Sequence, residues 1–235
     1  MAKTGLIIAL DTQDPLEAEK WALATDNVGH MIKLGMEFTY ACGLDAVRTL
    51  ARGRRLFLDL KLHDIPNTVS AAIKSLESVR PAMLTIHTLG GYEMIQAARK
   101  AIDESFPPAV KPLLLGVTVL TSMDEQGLNE IGIRNSPMEE VVCLGKMAIQ
   151  AGVDGLVCSP VEIARLRQEL GKEPKLVVPG IRMKNAETHD QKRVMSPAEA
   201  HRAGADWVVV GRPITRAADP EEAAKAIVRE MQDHS

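Results

Sequence analysis

The sequence predicts an α/β protein built as one (β/α)8 barrel, the TIM-barrel class, occupying residues 1–235 as a single catalytic domain. Three observations predict it. Short β-rich apolar runs alternate with longer helix-patterned stretches, and strands separated by helices pair in parallel. The strand candidates number eight, the count at which such a sheet closes on itself. The chain has 235 residues, close to the roughly 250 that one barrel needs.

The strand candidates, in order, are Leu6–Asp11, Met31–Gly35, Leu56–Lys61, Met83–His87, Leu113–Leu120, Gly155–Ser159, Leu176–Gly180 and Trp207–Gly211. Between them, Leu16–Ala24, Val69–Val79, Met94–Ser105, Met138–Ala151 and Pro197–Ala203 read as helices. Helix starts are written in one repeated form: Asp14-Pro15-Leu16-Glu17, Ser136-Pro137-Met138-Glu139, Ser159-Pro160-Val161-Glu162, Ser196-Pro197-Ala198-Glu199 and Asp219-Pro220-Glu221-Glu222. Each offers a side-chain oxygen to cap the first turn and a Pro where the backbone donor would be orphaned anyway. A Glu at the third position can reach back to the cap N–H. Ala151-Gly152-Val153-Asp154 and Ala203-Gly204-Ala205-Asp206 repeat a second pattern, a glycine helix stop leading into a strand. No linker, low-complexity tract or second domain interrupts the series.

Composition narrows the function classes. Hydrophobic residues make up 46% and charged residues 25% of the chain, ordinary values for a soluble globular protein. A net charge of -3 gives no basic footprint for nucleic acid. Cys42, Cys143 and Cys158 are scattered and form no C-x-x-C pair, so neither a disulfide framework nor a zinc site is indicated. Reduced thiols fit a cytoplasmic location. The apolar run Leu6–Leu10 is too short for a signal segment, and nothing reaches the roughly 20 apolar residues of a membrane span.

Polar residues collect where the strands end, which is where barrels of this class place their chemistry. Asp11 and Lys33 end the first two strands, and Asp59, Lys61 and Asp64 cluster at the third. Asp59 and Lys61 are two apart on a strand, so both face the barrel interior, while Leu58, Leu60 and Leu62 face the helices. Carboxylates on either side hold a lysine as its ammonium, a poor nucleophile but a competent proton donor. A structural ion pair is the plain alternative; the added presence of Asp11 and Lys33 favours a site. At the eighth strand, Val210-Gly211-Arg212 combines a glycine that admits close backbone approach with a guanidinium fork suited to phosphate. The polar stretch from Gly180 to Val194 is long for a strand-to-helix connection and, by itself, reads as a solvated loop. His63 is read as capping or packing, His87 as a core or supporting histidine, and Gly90-Gly91 lacks a dinucleotide-binding spacing.

The segment Asp59-Leu60-Lys61-Leu62-His63-Asp64-Ile65-Pro66-Asn67-Thr68 resembles the D-x-K-x-x-D-I-P-N-T signature of the orotidine 5′-phosphate decarboxylases. The likeness extends over nearly the whole chain, through Leu10-Asp11, Lys33-Leu34-Gly35, Val119-Leu120-Thr121-Ser122, Pro179-Gly180-Ile181-Arg182 and Val210-Gly211-Arg212. The compact loops resemble the bacterial branch. D-x-K-x-x-D alone is shared with sister barrels acting on sugar phosphates; the I-P-N-T extension together with Pro-Gly-Ile-Arg is far more specific.

The resemblance implies a lyase of UMP biosynthesis that decarboxylates orotidine 5′-monophosphate with no cofactor and no metal. Lys61 would protonate C6 of the pyrimidine, with Asp59 beside the substrate carboxylate. Asp64 of the partner subunit in a homodimer would complete an alternating array of Lys33, Asp59, Lys61 and Asp64. Asp11 and Lys33 would hold ribose hydroxyls, joined across the interface by Asp64 and Thr68. Ser122 would read the pyrimidine edge with Thr121 beside it, and Pro179 would pack near the base. Arg182, Gln191, Gly211 and Arg212 would hold the phosphate, the first two on a closing loop. Two carboxylates about 4 Å apart repel by roughly 4 kcal/mol at an effective dielectric of 20, and loss of carbon dioxide would relieve that repulsion. Two rival readings remain: a Mg²⁺-dependent sugar-phosphate decarboxylase or aldolase on the same barrel, and a barrel that binds phosphate without catalysis.

Overall fold

A computed structural model describes residues 4–183 and 195–232. Eight parallel strands close into a barrel in sequence order, with β1 paired to both β2 and β8. The strands are β1 (Gly5–Ala9), β2 (Met31–Gly35), β3 (Leu56–Leu62), β4 (Met83–His87), β5 (Leu113–Val117), β6 (Gly155–Val157), β7 (Lys175–Val178) and β8 (Trp207–Val210). The expected barrel and all eight expected strands are present. Several end sooner than their apolar runs. β1 stops two residues before Asp11, and β5 stops at Val117 rather than Leu120. Beyond those ends Asp11, Val119 and Leu120 reach the mouth of the barrel.

Helices pack around this cylinder. They are α1 (Pro15–Thr25), α2 (Met36–Leu50), α3 (Pro66–Ser75), α4 (Gly91–Ser105), α5 (Glu125–Glu130), α6 (Pro137–Ala151), α7 (Ile163–Leu170), α8 (Pro197–Ala203), α9 (Arg212–Thr215) and α10 (Pro220–Gln232). The expected helix over Val69–Val79 begins earlier, at Pro66, and ends at Ser75; a 3-10 turn covers Glu77–Val79. α2 has no cap side chain or proline at its start, and Gly43 breaks it at φ 78°, so its periodicity is weak in the sequence.

The capping motifs work as their chemistry dictates. Glu139 accepts the Ser136 N–H at 2.9 Å while the Ser136 hydroxyl accepts the Glu139 N–H, and Ser196 and Glu199 repeat the arrangement. Asp14 and Asp219 cap with their carboxylates alone, accepting from Leu16 and Glu222. Glu162 accepts the Ser159 N–H at 2.7 Å, but the first turn there is a 3-10 turn and α7 starts only at Ile163.

The repeated Ala-Gly-x-Asp motif has a structural meaning beyond its helix stop. Gly152 and Gly204 hold φ of 107° and 100° at the ends of α6 and α8, a conformation that costs glycine little. Asp154 then accepts the Leu114 N–H and an Arg99 N–H, at 2.7 and 3.0 Å. Asp206 does the same for Leu176 and Arg167, at 2.9 and 2.5 Å. One unit thus stops a helix, opens a strand and ties the neighbouring strand to a helix.

Two apolar layers result. Ile7, Met31, Phe57, Met83, Leu115 and Val177 are among the side chains that fill the cylinder, and a larger shell including Leu58, Leu84 and Leu156 fills the space beneath the helices. With the interior packed, only the ends of the cylinder have room for polar chemistry. Among the described residues, no helix is long and apolar enough to cross a membrane.

Candidate active site

A cavity of about 310 Å³ opens at the end of the barrel where the strands finish. Its wall divides into three arcs. β1, β2 and β3 bring Asp11, Lys33, Asp59 and Lys61; the β5 and β6 ends bring apolar groups such as Val119 and Val157; β7 and β8 bring Pro179, Gly180, Arg182, Gly211 and Arg212. A polar small molecule with one anionic end, a middle that tolerates apolar contact and a reactive centre would match that division.

The charged arc is an alternating chain. Lys33 donates to Asp11 at 2.8 Å and lies 3.9 Å from Asp59. Lys61 donates to both oxygens of Asp59, each at 2.9 Å. Burial opposes ionisation of Asp59 most strongly, yet the nearby Lys33 and Lys61 ammonium groups and hydrogen bonds from Lys61 and Thr85 outweigh it. Asp59 is held below the ordinary carboxylate range. The side chain of Asp59 is 15% exposed and that of Lys61 28%, so the pair lies at the inner rim, open to a ligand from one side.

Local backbone sets the aim of Lys61. The β3–β4 register shifts between Leu58 and Leu62, and Lys61 adopts φ 48°, an uncommon value for a residue with a side chain. A backbone held there costs on the order of 1–3 kcal/mol and persists only where the surroundings enforce it. Thr85 on β4 meets both residues: its hydroxyl accepts the Lys61 N–H at 2.8 Å and donates to Asp59 at 2.9 Å. Sequence reasoning did not find Thr85, because the period-two pattern of β3 carries no sign of the register shift.

Gly211 follows β8 beside β1: a Cβ would lie in ordinary contact, 3.4 Å from the Ala9 carbonyl oxygen and 3.7 Å from Asp11. Gly180, at φ 81°, turns the chain after β7. Arg182 then donates its N–H to the Met195 carbonyl at 3.0 Å, and Ile181 pairs with Met195. This bridge ties together the two ends of the long polar stretch. Gln191 lies outside the described residues.

Nine of the expected positions line the one cavity: Asp11, Lys33, Asp59, Lys61, Thr121, Pro179, Arg182, Gly211 and Arg212. Ser122 follows Thr121 but is exposed and off the wall. Asp64 and Thr68 are also exposed and off the wall, and the Asp64 carboxylate accepts the Ile65 N–H at 2.7 Å. Among the described residues, Lys61 therefore has a carboxylate on one side, not on two as its sequence neighbours suggested.

Two further groups lie close by. Cys158 is a buried part of the cavity wall; burial, and secondarily the Glu162 carboxylate, push its thiol well up, which keeps it neutral. His87 stacks on His63 with ring centroids 5.3 Å apart, and burial, then His63 and Lys61, push it down. His63 is exposed, and half-buried His87 lies at the end of β4 with its ring accepting the Leu89 N–H. Among the described residues, no three His, Cys, Asp or Glu side chains converge as a metal site.

Fold and site together define a (β/α)8-barrel enzyme with a Lys–Asp array at its inner rim facing a cationic rim. The model of the family described as orotidine 5′-phosphate decarboxylase / HUMPS matches residues 4–227, and the chain belongs to that family. A relative from Gluconobacter oxydans, named orotidine 5′-phosphate decarboxylase, is 57% identical over 230 residues, covering 97% of this chain and 98% of the relative. One of the same name from Opitutus terrae is 48% identical, with 97% and 98% covered. The crystal structure of orotidine 5′-phosphate decarboxylase from Lactobacillus acidophilus superposes with a TM-score of 0.87 at 37% identity, covering 97% and 99% of the two chains. That from Pyrococcus horikoshii OT3 gives 0.78 at 25% identity, covering 97% and 99%. The relatives bear the name of a carboxy-lyase, and the chain is an enzyme of that class.

Proposed function

We propose that this enzyme converts orotidine 5′-monophosphate to uridine 5′-monophosphate and carbon dioxide, with Lys61 as the proton donor and no cofactor. The observation that carries the reading is the Lys61 ammonium bonded to both oxygens of Asp59 at the inner rim of the barrel. The bond from C6 to the carboxylate breaks, carbon dioxide leaves, and the electron pair stays on C6. A fixed ammonium beside that carbon stabilises the developing charge and transfers its proton, and the neutral amine regains one from solvent. Asp59, held ionised, anchors the ammonium and repels the substrate carboxylate, a strain relieved as carbon dioxide departs.

The remaining roles follow the arcs of the cavity. Asp11 and Lys33 hold the ribose hydroxyls. Ser122 reads the pyrimidine edge with Thr121 beside it, and Pro179 packs on the base. Arg182, Gln191, Gly211 and Arg212 hold the phosphate; its binding energy, far from the reacting bond, can still support the chemical step. Asp64 and Thr68 of the partner subunit complete the site in a homodimer. What supports that last role is their exposure at the start of α3, beside Ile65, which is 66% exposed. The whole chain acts as one barrel domain in the cytoplasm.

Loss of orotidylate ultraviolet absorbance, followed in EDTA, tests the activity. Undiminished turnover with release of carbon dioxide is expected. Activity lost in EDTA and restored by Mg²⁺ would replace this reading with the metal-dependent one. Bound nucleotide with no carbon dioxide released would leave a binding protein.

A further inference from the structure

We infer that Thr85 is a positioning residue for the reaction: its hydroxyl holds the backbone turn that aims Lys61 and fixes the Asp59 oxygen that Lys61 grips. The inference rests on the roles given above to Lys61 and Asp59. Thr85 is fully buried on β4, one strand away from both groups. A hydroxyl has one proton to give and two lone pairs. Here it accepts the Lys61 N–H at 2.8 Å and gives its proton to Asp59 at 2.9 Å, so its orientation is set by both partners.

The geometry explains why a side chain is needed there. Between Leu58 and Leu62 the β3–β4 ladder loses its regular register. The Lys61 N–H, at φ 48°, therefore takes the Thr85 hydroxyl as its acceptor in place of a ladder carbonyl. A register irregularity of this kind re-aims side chains and recurs beside active sites. Here the re-aimed residue is Lys61, and the hydroxyl links the turn to the carboxylate that the ammonium grips. The same two residues are thus joined twice, through Lys61 Nζ directly and through the Lys61 backbone by way of Thr85.

Thr85 does not line the cavity. Its effect must then appear in the chemical step rather than in nucleotide affinity. Thr85→Val removes the hydroxyl at nearly constant volume, and kcat is expected to fall about 10- to 100-fold through misplacement of the reacting groups. Affinity for uridine 5′-monophosphate should be unchanged, since ribose and phosphate contacts come from other strands. Asp59 also loses a donor that favours its charged form, so the acid limb of the kcat profile should move to higher pH. Thr85→Ser, which keeps the hydroxyl, should retain most of the activity.

Wild-type kcat in the Val variant would overturn the inference, as would a Ser variant that falls as far as Val. If the Val variant does not fold, Thr85→Ser against Thr85→Ala poses the same question: equal kcat in the two overturns it. A wild-type enzyme unable to release carbon dioxide from orotidylate would remove the underlying reading of the site, and this inference with it. A wild type that turns over beside an unimpaired Val variant removes the role of Thr85 alone.

Discussion

Lys61 combines a side chain 2.9 Å from both oxygens of Asp59 with a backbone in a region that residues bearing a side chain rarely occupy. The pairing was legible in the sequence, because positions two apart on a strand share a face. The strained backbone was not, since it arises from a register shift against β4 that no local pattern encodes. Asp64 shows a different limit: adjacency suggested a second carboxylate at Lys61, but the chain turns Asp64 outward at the start of α3. Replacing Lys61 by Ala removes the proposed proton donor. Turnover of orotidylate is expected to drop below detection, consistent with the loss of both a general acid, worth about 10²- to 10⁴-fold, and a fixed positive charge at the carbanion. Circular dichroism should show the fold retained, because the Lys61 side chain is partly exposed and lies outside both apolar layers. A folded Lys61→Ala enzyme with near-normal kcat would refute the assignment.

Elements were most legible where chemistry marks their ends. The Ser136 and Ser196 motifs became reciprocal caps, and Gly152 and Gly204 became helix stops, because each residue type satisfies a backbone need locally. α2 escaped notice for the opposite reason: it opens without a capping side chain, and Gly43 interrupts it. Strand ends were overrun because apolar residues continue past the last strand position, Leu10 into the shell beneath the helices and Val119 into the cavity wall. The cap argument carries its own prediction. Ser136→Ala deletes the acceptor for the Glu139 N–H at an exposed helix start and should cost about 1 kcal/mol of stability, lowering Tm by about 2–4 °C for a domain of this size. Activity should be unaffected, since α6 begins away from the cavity wall. Thermal unfolding with intact kcat checks both halves; an unchanged Tm would show that the box contributes nothing net.

At the scale of the molecule, closure of the barrel followed from counting strand–helix units, and it brings the first and last strands side by side. That closure alone puts Asp11 next to Gly211, residues two hundred positions apart, on one cavity wall. A closed cylinder says nothing about a second copy of the chain, and here the site itself supplies the argument. Among the described residues Lys61 has one carboxylate partner, Asp59, while Asp64 and Thr68, drawn from the same segment as Asp59 and Lys61, stand exposed at the start of α3 beside the exposed Ile65. If Asp64 serves the neighbouring site, a two-fold dimer exchanges it reciprocally. Asp59→Ala and Asp64→Ala homodimers would each have two defective sites. In a mixed dimer both lesions fall on one site and the other is whole. Random pairing of equal amounts makes half of the dimers mixed, with half of their sites intact, so co-expression should restore about a quarter of wild-type activity. Recovery of none, with mixed dimers demonstrated by tagged purification, would place Asp64 in its own subunit's chemistry.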